Sequence, residues 1–456
     1  MSTAVKKGKT VMTEGVIWKQ VLLFAIPLML TNLLQQLYNT VDSIIVGQYI
    51  GKIALAAVGS TGQITNLFIG FFVGVSTGAG VVVSQAYGAK NNEKLHKAVH
   101  TAVALSILAG ILLGIIGVVF APHILTLTKT PADVFDSAVH YLRIIFGGII
   151  FTTVYNIGAG ILRAIGDSKR PLYYLAVCAV MNVALNLLFV VAFNMGVDGV
   201  AWATIIAQAV SAVLVLIRLI RTKEVYKLVI SSLTIDTKQL KEIIRIGIPA
   251  GMQSVVMNLS NVIIQSFVNA EGSTIMAGFA AAARIDAFIY MPISALALTA
   301  TTFTGQNIGA KQFDRVRKGS KTCILLSASI TFVFGITAAS VSEFLISLLN
   351  SDPGVVAYGG QFVKIFASTY FIFGIAEAMS GTIRGAGVST PPMIISLITL
   401  CALRVIYLFI FVPIIDNIHV ITFCYPISWI ANAAVFSVYY FKGNWLKKHE
   451  KALKEA

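Results

Sequence analysis

Charged residues are scarce in this chain. Asp, Glu, Lys and Arg make up only 12% of its 456 residues, and 57% are hydrophobic, whereas soluble domains carry about 25% charged residues. Apolar runs of about twenty residues, long enough to cross a membrane as a helix, recur along the whole length. Since these runs are continuously apolar and do not alternate with polar residues, a membrane β-barrel is excluded. The composition therefore predicts an all-α polytopic membrane protein.

Acidic residues are scarcer than basic residues. The chain has 19 Asp and Glu against 34 Lys and Arg, which gives a net charge of +15. The basic residues cluster at the N-terminus, in every second loop and in the C-terminal tail. The intervening loops hold little beyond Lys52 and Lys129. This distribution follows the positive-inside rule and argues against nucleic acid as a partner. We therefore expect a multi-pass protein of the cell membrane with both termini in the cytoplasm.

Cysteine is also scarce, and the common motifs of soluble enzymes are missing. The four cysteines lie in or at the edge of apolar runs without metal-ligand spacing, so neither structural disulfides nor a firm metal site are expected. Walker A and HExxH motifs are absent. The six histidines lie in loops or at the edges of predicted spans. We therefore predict no enzymatic activity and no cofactor.

The sequence does contain an internal repeat. Residues 51–171 return as residues 272–392, displaced by 221 positions, and the positions that persist are mainly Gly, Arg, Lys and Pro. Gln85–Lys90, for example, returns as Gln306–Lys311. We assign these repeated Gly-Ala-Lys segments to cytoplasmic loops, where the Gly permits a tight turn and the basic residue anchors the helix end.

The apolar runs divide into twelve candidate spans, six in each half. An even number returns the chain to the same side of the membrane, so the halves are parallel repeats. We predict a six-helix lobe at residues 1–222, a charged and polar cytoplasmic linker at 223–238 that lets the lobes move, and a second six-helix lobe at 239–456. The twelve spans lie near residues 18–46, 54–84, 96–120, 137–162, 171–193, 199–220, 242–269, 275–305, 320–347, 357–383, 391–414 and 418–441.

Polar residues interrupt the first and seventh predicted spans at the same repeat positions. Residues at i, i+4, i+7 and i+11 form one stripe along a helix. The stripes consist of Asn32, Gln36, Asn39 and Ser43 in the first span and of Ser254, Asn258, Asn261 and Gln265 in the seventh. Amides that face lipid would be costly, so the stripes should face protein or a water-filled cavity. The alternative is interhelical hydrogen bonding, worth roughly 0.6 kcal/mol per contact. The stripes and their neighbours predict a substrate cavity lined by Gln35, Gln36, Tyr38, Asn39, Met252, Met257, Asn258 and Asn261.

Asp42 stands out because it is the only acid inside the first six predicted spans. A carboxylate in mid-span costs about 2.5–3.5 kcal/mol on insertion scales, and the cost falls when the group takes up a proton or pairs with a cation. The repeat position holds Ile263 or Ile264, so the fold itself does not require an acid. The alternative is a structural acid held by fixed hydrogen bonds.

The fifth and sixth predicted spans supply partners for Asp42. Asn182 and Asn186 lie one turn apart, at a depth similar to that of Asp42, and Thr204 adds a hydroxyl. Oxygen ligands of this kind suit a proton relay or a weakly held Na⁺, although amide pairs also commonly join helices. We predict a coupling site for H⁺ or Na⁺ at these four residues.

The second half has charged residues of its own. Glu377 occupies the repeat position of Asn156 and is a second candidate for proton or cation binding. The alternative is a structural salt bridge with Arg404 or Arg284. Arg284 and Asp286 are two positions apart and therefore do not share a helix face, so each is expected to pair elsewhere.

Together these elements resemble the multidrug and toxic compound extrusion (MATE) transporters over nearly the full length. The resemblance rests on twelve spans in two halves, the Gly-Ala-Lys loops after spans 2 and 8, the Leu162–Asp167 segment with its copy at Arg384, and Asp42 late in span 1. It implies a V-shaped pair of six-helix lobes that exchange cationic drugs for H⁺ or Na⁺. By the same resemblance, Asp42 matches the N-lobe coupling acid, and Asn182 and Thr204 fit its site.

Two departures from the family pattern bear on the coupling ion. Asn186 stands where the family often has a second acid, which should weaken a Na⁺ site. Met257 stands where the NorM-like branch carries a glutamate. The chain therefore looks closer to the DinF-like branch, which favours H⁺.

The predicted function is secondary active antiport, in which lipophilic organic cations are exported (multidrug efflux) in exchange for H⁺ or Na⁺ by alternating access between the lobes. Its partners should be small cationic amphipathic substrates and the lipid bilayer, and we expect a monomer. The alternative is a flippase for a lipid-linked saccharide or another amphipathic lipid. A pyrophosphate headgroup would call for several cationic residues in the cavity, and mainly Arg284 and Arg404 are available.

Overall fold

The structure, a computed structural model, describes residues 5–6, 9–415 and 417–454 and is helical almost throughout. Two short strands, β1 (Val5–Lys6) and β2 (Lys9–Thr10), pair near the N-terminus. The helices, in chain order, are α1 (Ile17–Ile45), α2 (Lys52–Gly88), α3 (Asn92–Leu127), α4 (Ala132–Gly147), α5 (Ile149–Ala164), α6 (Lys169–Asn186), α7 (Gly196–Arg221), α8 (Thr237–Ala270), α9 (Ser273–Gly309), α10 (Phe313–Ser340), α11 (Ser342–Ser347), α12 (Pro353–Gly385), α13 (Thr390–Ser396), α14 (Leu403–Phe411), α15 (His419–Lys442) and α16 (Lys447–Lys454).

Each of the twelve predicted spans falls on helix. Within the described residues, ten helical stretches are long and apolar enough to cross a membrane, and α4 with α5 forms an eleventh that bends by 46°. Helix α8 is also long but is less apolar, because charged residues such as Glu242 and Arg245 occupy its first half and the polar stripe follows. The all-α polytopic fold class is therefore confirmed.

Two predicted spans are interrupted where continuous helices were expected. The fourth, 137–162, bends at Gly148 between α4 and α5. A Cβ at Gly148 would collide with Ile205 of α7, so the bend coincides with a close approach of helices. The ninth, 320–347, ends as α10, and the short α11 follows after Val341.

The chain forms two compact units. The N-terminal unit consists mainly of Leu30–Gly251, and the C-terminal unit of Thr10–Met29 with Met252–Ala456. The limits of these units fall inside α1 and α8, unlike those of the predicted lobes, because the first half of each helix packs in a different unit from its second half. Phe24 of α1 belongs to a core cluster of the C-terminal unit, and Ile243 of α8 belongs to the main core of the N-terminal unit.

Glycine allows α8 to approach α2 closely within the N-terminal unit. Gly74 and Gly78 of α2 face Gly251 and Gly247 of α8, respectively, and a Cβ on Gly78 would lie 2.6 Å from the Cα of Gly247. Helices that carry small residues at the contact can bring their backbones together in this way.

The repeat extends to backbone conformation. Gly51 and Gly272 have φ of 107° and 99°, and Lys90 and Lys311 have φ of 53° and 60°. In the Gly-Ala-Lys segments the left-handed residue is therefore the lysine. The glycine was expected to form the turn, but it ends the preceding helix instead. The tight turn is nevertheless the same in both halves.

Matching helix crossings in the two halves use the same positions with donor and acceptor exchanged. In the first half, the hydroxyl of Thr153 on α5 donates to the carbonyl O of Ser106 on α3 at 2.9 Å. In the second half, Ser327 on α10 donates to the carbonyl O of Gly374 on α12 at 2.9 Å. Ser327 is the repeat equivalent of Ser106, and Gly374 is the repeat equivalent of Thr153, each displaced by 221 positions. The same two positions are therefore hydrogen-bonded in both halves, but the donor is on the other helix of the pair.

The predicted linker, 223–238, is packed against the N-terminal unit and is not a loose polar connection. Tyr226 and Leu228 are buried in its core. The backbone N–H of Val229 donates to Nε2 of His100 at 3.0 Å, so this histidine, near the start of the third predicted span, is buried inside the fold. The linker's two apolar side chains explain why it is anchored.

We expect Gly78→Ala to destabilise the protein, because the added methyl group would press on the backbone of Gly247. Overpacking of this kind costs about 1–3 kcal/mol, which should lower the thermal midpoint in detergent. Gly80→Ala is the matched control on the same helix, since its Cβ would lie 3.7 Å from the carbonyl O of Gly160. Equal midpoints for the two variants would contradict the close packing of α2 on α8.

Candidate functional site

Asp42, near the end of α1, accepts a hydrogen bond from Asn186 of α6. The Nδ2 of Asn186 lies 2.5 Å from the Oδ1 of Asp42. Asn186 is fully buried and Asp42 is half-buried. Both belong to the N-terminal unit, so the contact joins two helices of one compact body. The structure thus brings together two residues that the sequence placed at similar depth.

Asn186 continues into a chain of hydrogen bonds. Its Nδ2 also donates to Oδ1 of Asn182 at 3.2 Å, and Nδ2 of Asn182 donates to Oγ1 of Thr204 at 3.4 Å. The Thr204 hydroxyl donates in turn to the carbonyl O of Val200 at 3.0 Å. The four predicted coupling residues therefore form one continuous network across α1, α6 and α7.

The amide oxygen of Asn186 takes no part in these hydrogen bonds. It is buried and has no hydrogen-bond partner among the described residues. A buried polar atom left without a partner costs about 1–3 kcal/mol. The atom sits on the same side chain that binds Asp42, so it can accept a hydrogen bond from a donor that forms or arrives there.

Asp42 also lacks a cationic partner in the described part of the chain. Its surroundings contribute burial and the Asn186 hydrogen bond, and no Lys, Arg or His charge. The described residues hold no group of three or more His, Cys, Asp or Glu side chains that could bind a metal ion. The charge of Asp42 is therefore not balanced by a neighbouring side chain.

The helices that carry Asp42 and Asn186 both widen just beyond these residues. Helix α1 continues as a π-helix at Val46–Ile50, and α6 continues as a π-helix at Leu187–Ala192. Such segments are rare and often occur at functional sites. The sequence pattern did not predict them, since a π-turn and an α-turn have similar apolar spacing over a few residues.

Two further side chains belong to the surroundings of this site and were missed. Tyr141 of α4 and Cys178 of α6 are buried near Asp42, and the predicted cavity residue Tyr38 also lies near it. Cys178 lies four positions before Asn182, so helical spacing was a usable signal. Tyr141 is one of several bulky residues on α4 and carries no such signal.

The predicted cavity residues are divided between the two units, and all eight are exposed or half-buried. Packing within their own unit therefore does not enclose them. Asn258 donates to the carbonyl O of Ser254 on the previous turn, at 2.9 Å. Met257 packs against the core of the C-terminal unit. Their role in a substrate cavity stays a prediction.

Glu377 pairs with Arg384, not with Arg404 or Arg284 as expected for a structural salt bridge. The Nη2 of Arg384 lies 3.6 Å from Oε2 of Glu377, and the two side chains are 15% and 7% exposed. Seven positions separate them, which is two turns of α12, so they share one helix face. Arg384 also donates to Oε1 of Gln253 at 3.2 Å.

Asp286 and Arg404 of the C-terminal unit each have a partner of their own. The hydroxyl of Tyr370 donates to Oδ1 of Asp286. The Nε of Arg404 donates to Oγ of Ser428 at 2.7 Å, and its guanidinium lies 4.5 Å from the ring centroid of Tyr425. Asp286 therefore pairs away from Arg284, as the spacing predicted.

Two segments of the chain, residues 27–188 and 249–410, match the MatE family model. They are displaced by 222 positions, one more than the offset of 221 between residues 51–171 and 272–392. The chain belongs to the MatE family. The probable multidrug resistance proteins YoeA and YpnP of Bacillus subtilis (strain 168) are 30% and 31% identical to it. These alignments cover 85% and 86% of this chain, and 86% and 88% of the relatives.

Solved structures share the fold of this MatE protein. A crystal structure of MATE in the bent conformation has a TM-score of 0.89 at 20% identity and covers 95% of this chain and 98% of that one. An outward-facing MATE family transporter of the MOP superfamily has a TM-score of 0.88 at 21% identity, with 99% of both chains covered. The family resemblance and the two-lobe, twelve-helix fold class are thereby confirmed.

We expect Glu377→Gln to destabilise the protein, because it leaves Arg384 without its counter-charge. Removing one partner of a buried pair costs about 3–5 kcal/mol; here about 2–3 kcal/mol is expected because Arg384 keeps its hydrogen bond to Gln253. Thermal unfolding in detergent measures the loss. The double variant Glu377→Gln/Arg384→Gln should recover most of it. A stable single variant with impaired transport would instead support the proton or cation role of Glu377.

Proposed function

We propose that this MatE protein is an antiporter that exports lipophilic organic cations in exchange for protons, and that Asp42 couples the two movements. The observation that carries the proposal is the lone carboxylate of Asp42, held in a membrane-spanning helix by an amide and lacking a cationic partner in the described chain. Such a charge is costly in a membrane unless something neutralises it. A proton or a cationic substrate can each do so, but they compete.

Asn186 suits a carboxyl group that gains and loses a proton. When Asp42 is ionised, the amide N–H of Asn186 donates to it. When Asp42 is protonated, its O–H needs an acceptor, and the unpartnered amide oxygen of Asn186 provides one after the amide turns over. Because one side chain offers both a donor and an acceptor, both states of Asp42 can be hydrogen-bonded in the same place.

The competition at Asp42 gives a transport cycle. A proton that enters from outside neutralises Asp42 and disfavours a cation held near it, so the substrate leaves outward. The protein then opens inward, releases the proton and binds the next cation. A membrane potential of 100 mV contributes about 2.3 kcal/mol per charge moved, which can drive the cycle in one direction.

The substrate class follows from the residues expected to line the cavity. One carboxylate attracts a cation, and amides such as Gln36 and Asn258 offer hydrogen bonds without competing charge. Met252, which is 39% exposed, offers an adaptable apolar contact. This combination favours cations with an apolar body. The relatives YoeA and YpnP are named as probable multidrug resistance proteins, which supports export of such compounds.

Protons are favoured over Na⁺ as the coupling ion. A Na⁺ site needs several oxygen ligands turned towards one point. Here Asn186 stands where a second carboxylate would serve, and it turns its N–H towards Asp42. We therefore propose that the chain lies nearer the DinF-like branch. We also propose that the protein works as a monomer, has both termini in the cytoplasm and holds no resident cofactor.

A flippase for a lipid-linked saccharide is the less favoured function. Its pyrophosphate headgroup would need several available cationic side chains. Arg404 is buried, bonded to Ser428 and stacked on Tyr425, so it is already engaged within the C-terminal unit. Arg284 is exposed and is a single charge.

We expect Asp42→Asn to abolish proton-driven efflux, because the amide cannot exchange a proton for a cation. The measurement is efflux of a fluorescent lipophilic cation from proteoliposomes under separate H⁺ and Na⁺ gradients. The wild-type protein should respond to the H⁺ gradient and not to the Na⁺ gradient, and Asp42→Asn should respond to neither.

The matched control is Asp198→Asn, which removes an acid of the same unit whose side chain is 43% exposed and lies beside His140. Its efflux should equal that of the wild type. Undiminished pH-driven efflux by Asp42→Asn would refute the coupling role of this residue. Transport of a lipid-linked saccharide, without transport of the cation, would favour the flippase.

A further inference from the structure

A pocket of about 650 Å³ lies in the C-terminal unit, between α10, the end of α15 and α16. Arg317 and Lys321 of α10 line one side, and Lys447 and Glu450 of α16 line another. The basic clusters of the sequence place this end of the helices on the cytoplasmic side. None of these residues belongs to the Asp42 network.

Hydrogen bonds hold the walls of this pocket in place. The indole N–H of Trp445 donates to the carbonyl O of Tyr440 at 2.8 Å, and the Tyr440 hydroxyl donates to Oγ of Ser320 on α10 at 2.8 Å. An ion pair between Arg317 and Glu450 ties α16 to α10. These contacts fix the positions of α15 and α16 relative to α10, so the pocket is a defined part of the fold.

Positive charge remains uncompensated inside the pocket. Arg317 already pairs with Glu450 and with Asp314. Lys321 and Lys447 are exposed, and within the described residues neither has a carboxylate at salt-bridge distance. Two ammonium groups are therefore available to an anion that enters the pocket.

An apolar wall adjoins these lysines. Leu325 lies one helical turn after Lys321 on α10 and is 55% exposed, and Phe441 at the end of α15 is 74% exposed. Trp445 and Tyr440 belong to the same lining. Aromatic residues of this kind are typical of the level where headgroups meet acyl chains.

We propose that this pocket binds an acidic phospholipid of the cytoplasmic leaflet. Its headgroup phosphate would lie between Lys321 and Lys447, and an acyl chain would cover Leu325 and Phe441. Basic pockets at the cytoplasmic ends of membrane helices suit anionic headgroups. A zwitterionic lipid is disfavoured, because Glu450, the only carboxylate among the described residues of the lining, is already paired with Arg317.

The apolar wall distinguishes a lipid from a soluble anion. A free phosphate would use the two lysines and leave Leu325 and Phe441 without a role. A phospholipid contacts both parts of the lining, so its affinity depends on both. Substitutions of the lysines and substitutions of the apolar residues should therefore both weaken binding if the occupant is a phospholipid.

The test is native mass spectrometry of the full-length protein in detergent, titrated with phosphatidylglycerol and, separately, phosphatidylcholine. We expect phosphatidylglycerol to bind more tightly. The variant Lys321→Gln/Lys447→Gln should weaken its binding by about 25-fold, from roughly fivefold per lysine near a headgroup. The matched control Lys318→Gln/Lys448→Gln removes two exposed lysines of the same helices that do not line the pocket, and its binding should be unchanged.

Two further measurements distinguish a phospholipid from a soluble phosphate as the bound anion. Leu325→Ser/Phe441→Ser should weaken phosphatidylglycerol binding although every charge is kept, and glycerol 3-phosphate should not compete with the lipid. The proposal is overturned if Lys321→Gln/Lys447→Gln binds phosphatidylglycerol like the wild type, or if phosphatidylcholine binds equally well. Saturation by glycerol 3-phosphate alone would also overturn it, by assigning the pocket to a soluble anion.

Discussion

A polar side chain inside a membrane-spanning helix has to find its hydrogen-bond partners within the protein, because hydrocarbon offers none. In the N-terminal unit, Asn186, Asn182 and Thr204 meet most of this requirement by bonding to one another and finally to the backbone of Val200, and the amide oxygen of Asn186 is left without a partner among the described residues. Asp42 stands at the other end of that chain, where an amide holds it but no side chain balances its charge. The proposed coupling follows from this incomplete neutralisation.

In the C-terminal unit, three buried or half-buried charges have side-chain partners. Glu377 has Arg384, Asp286 has Tyr370, and Arg404 has Ser428. A charge whose partner is a neighbouring side chain is poorly suited to exchanging a proton for a substrate. The two halves therefore share turns and helix crossings through the repeat, and our proposal assigns the exchangeable charge to Asp42 in the first half.

The sequence predicted the features that depend on regular helix geometry. Apolar runs gave the twelve helical stretches, the fixed offset gave the repeat, and the constant rise per residue placed Asp42 and Asn186 at one depth. The pairing of Glu377 with Arg384 was also readable from their seven-residue spacing and was overlooked. The bend at Gly148, the π-helical turns and the placement of Tyr141 depend on packing between distant segments, which no local pattern encodes.

The proton balance of substrate binding tests the central role of Asp42 most directly. Purified protein in weakly buffered detergent solution is mixed with a lipophilic cation, and the proton released is measured with a pH indicator. If the cation replaces a proton on Asp42, the wild type should release up to about one proton per cation bound, and Asp42→Asn should release none while it stays folded. Equal release by both proteins, or none by the wild type across the pH range in which it transports, would contradict the account.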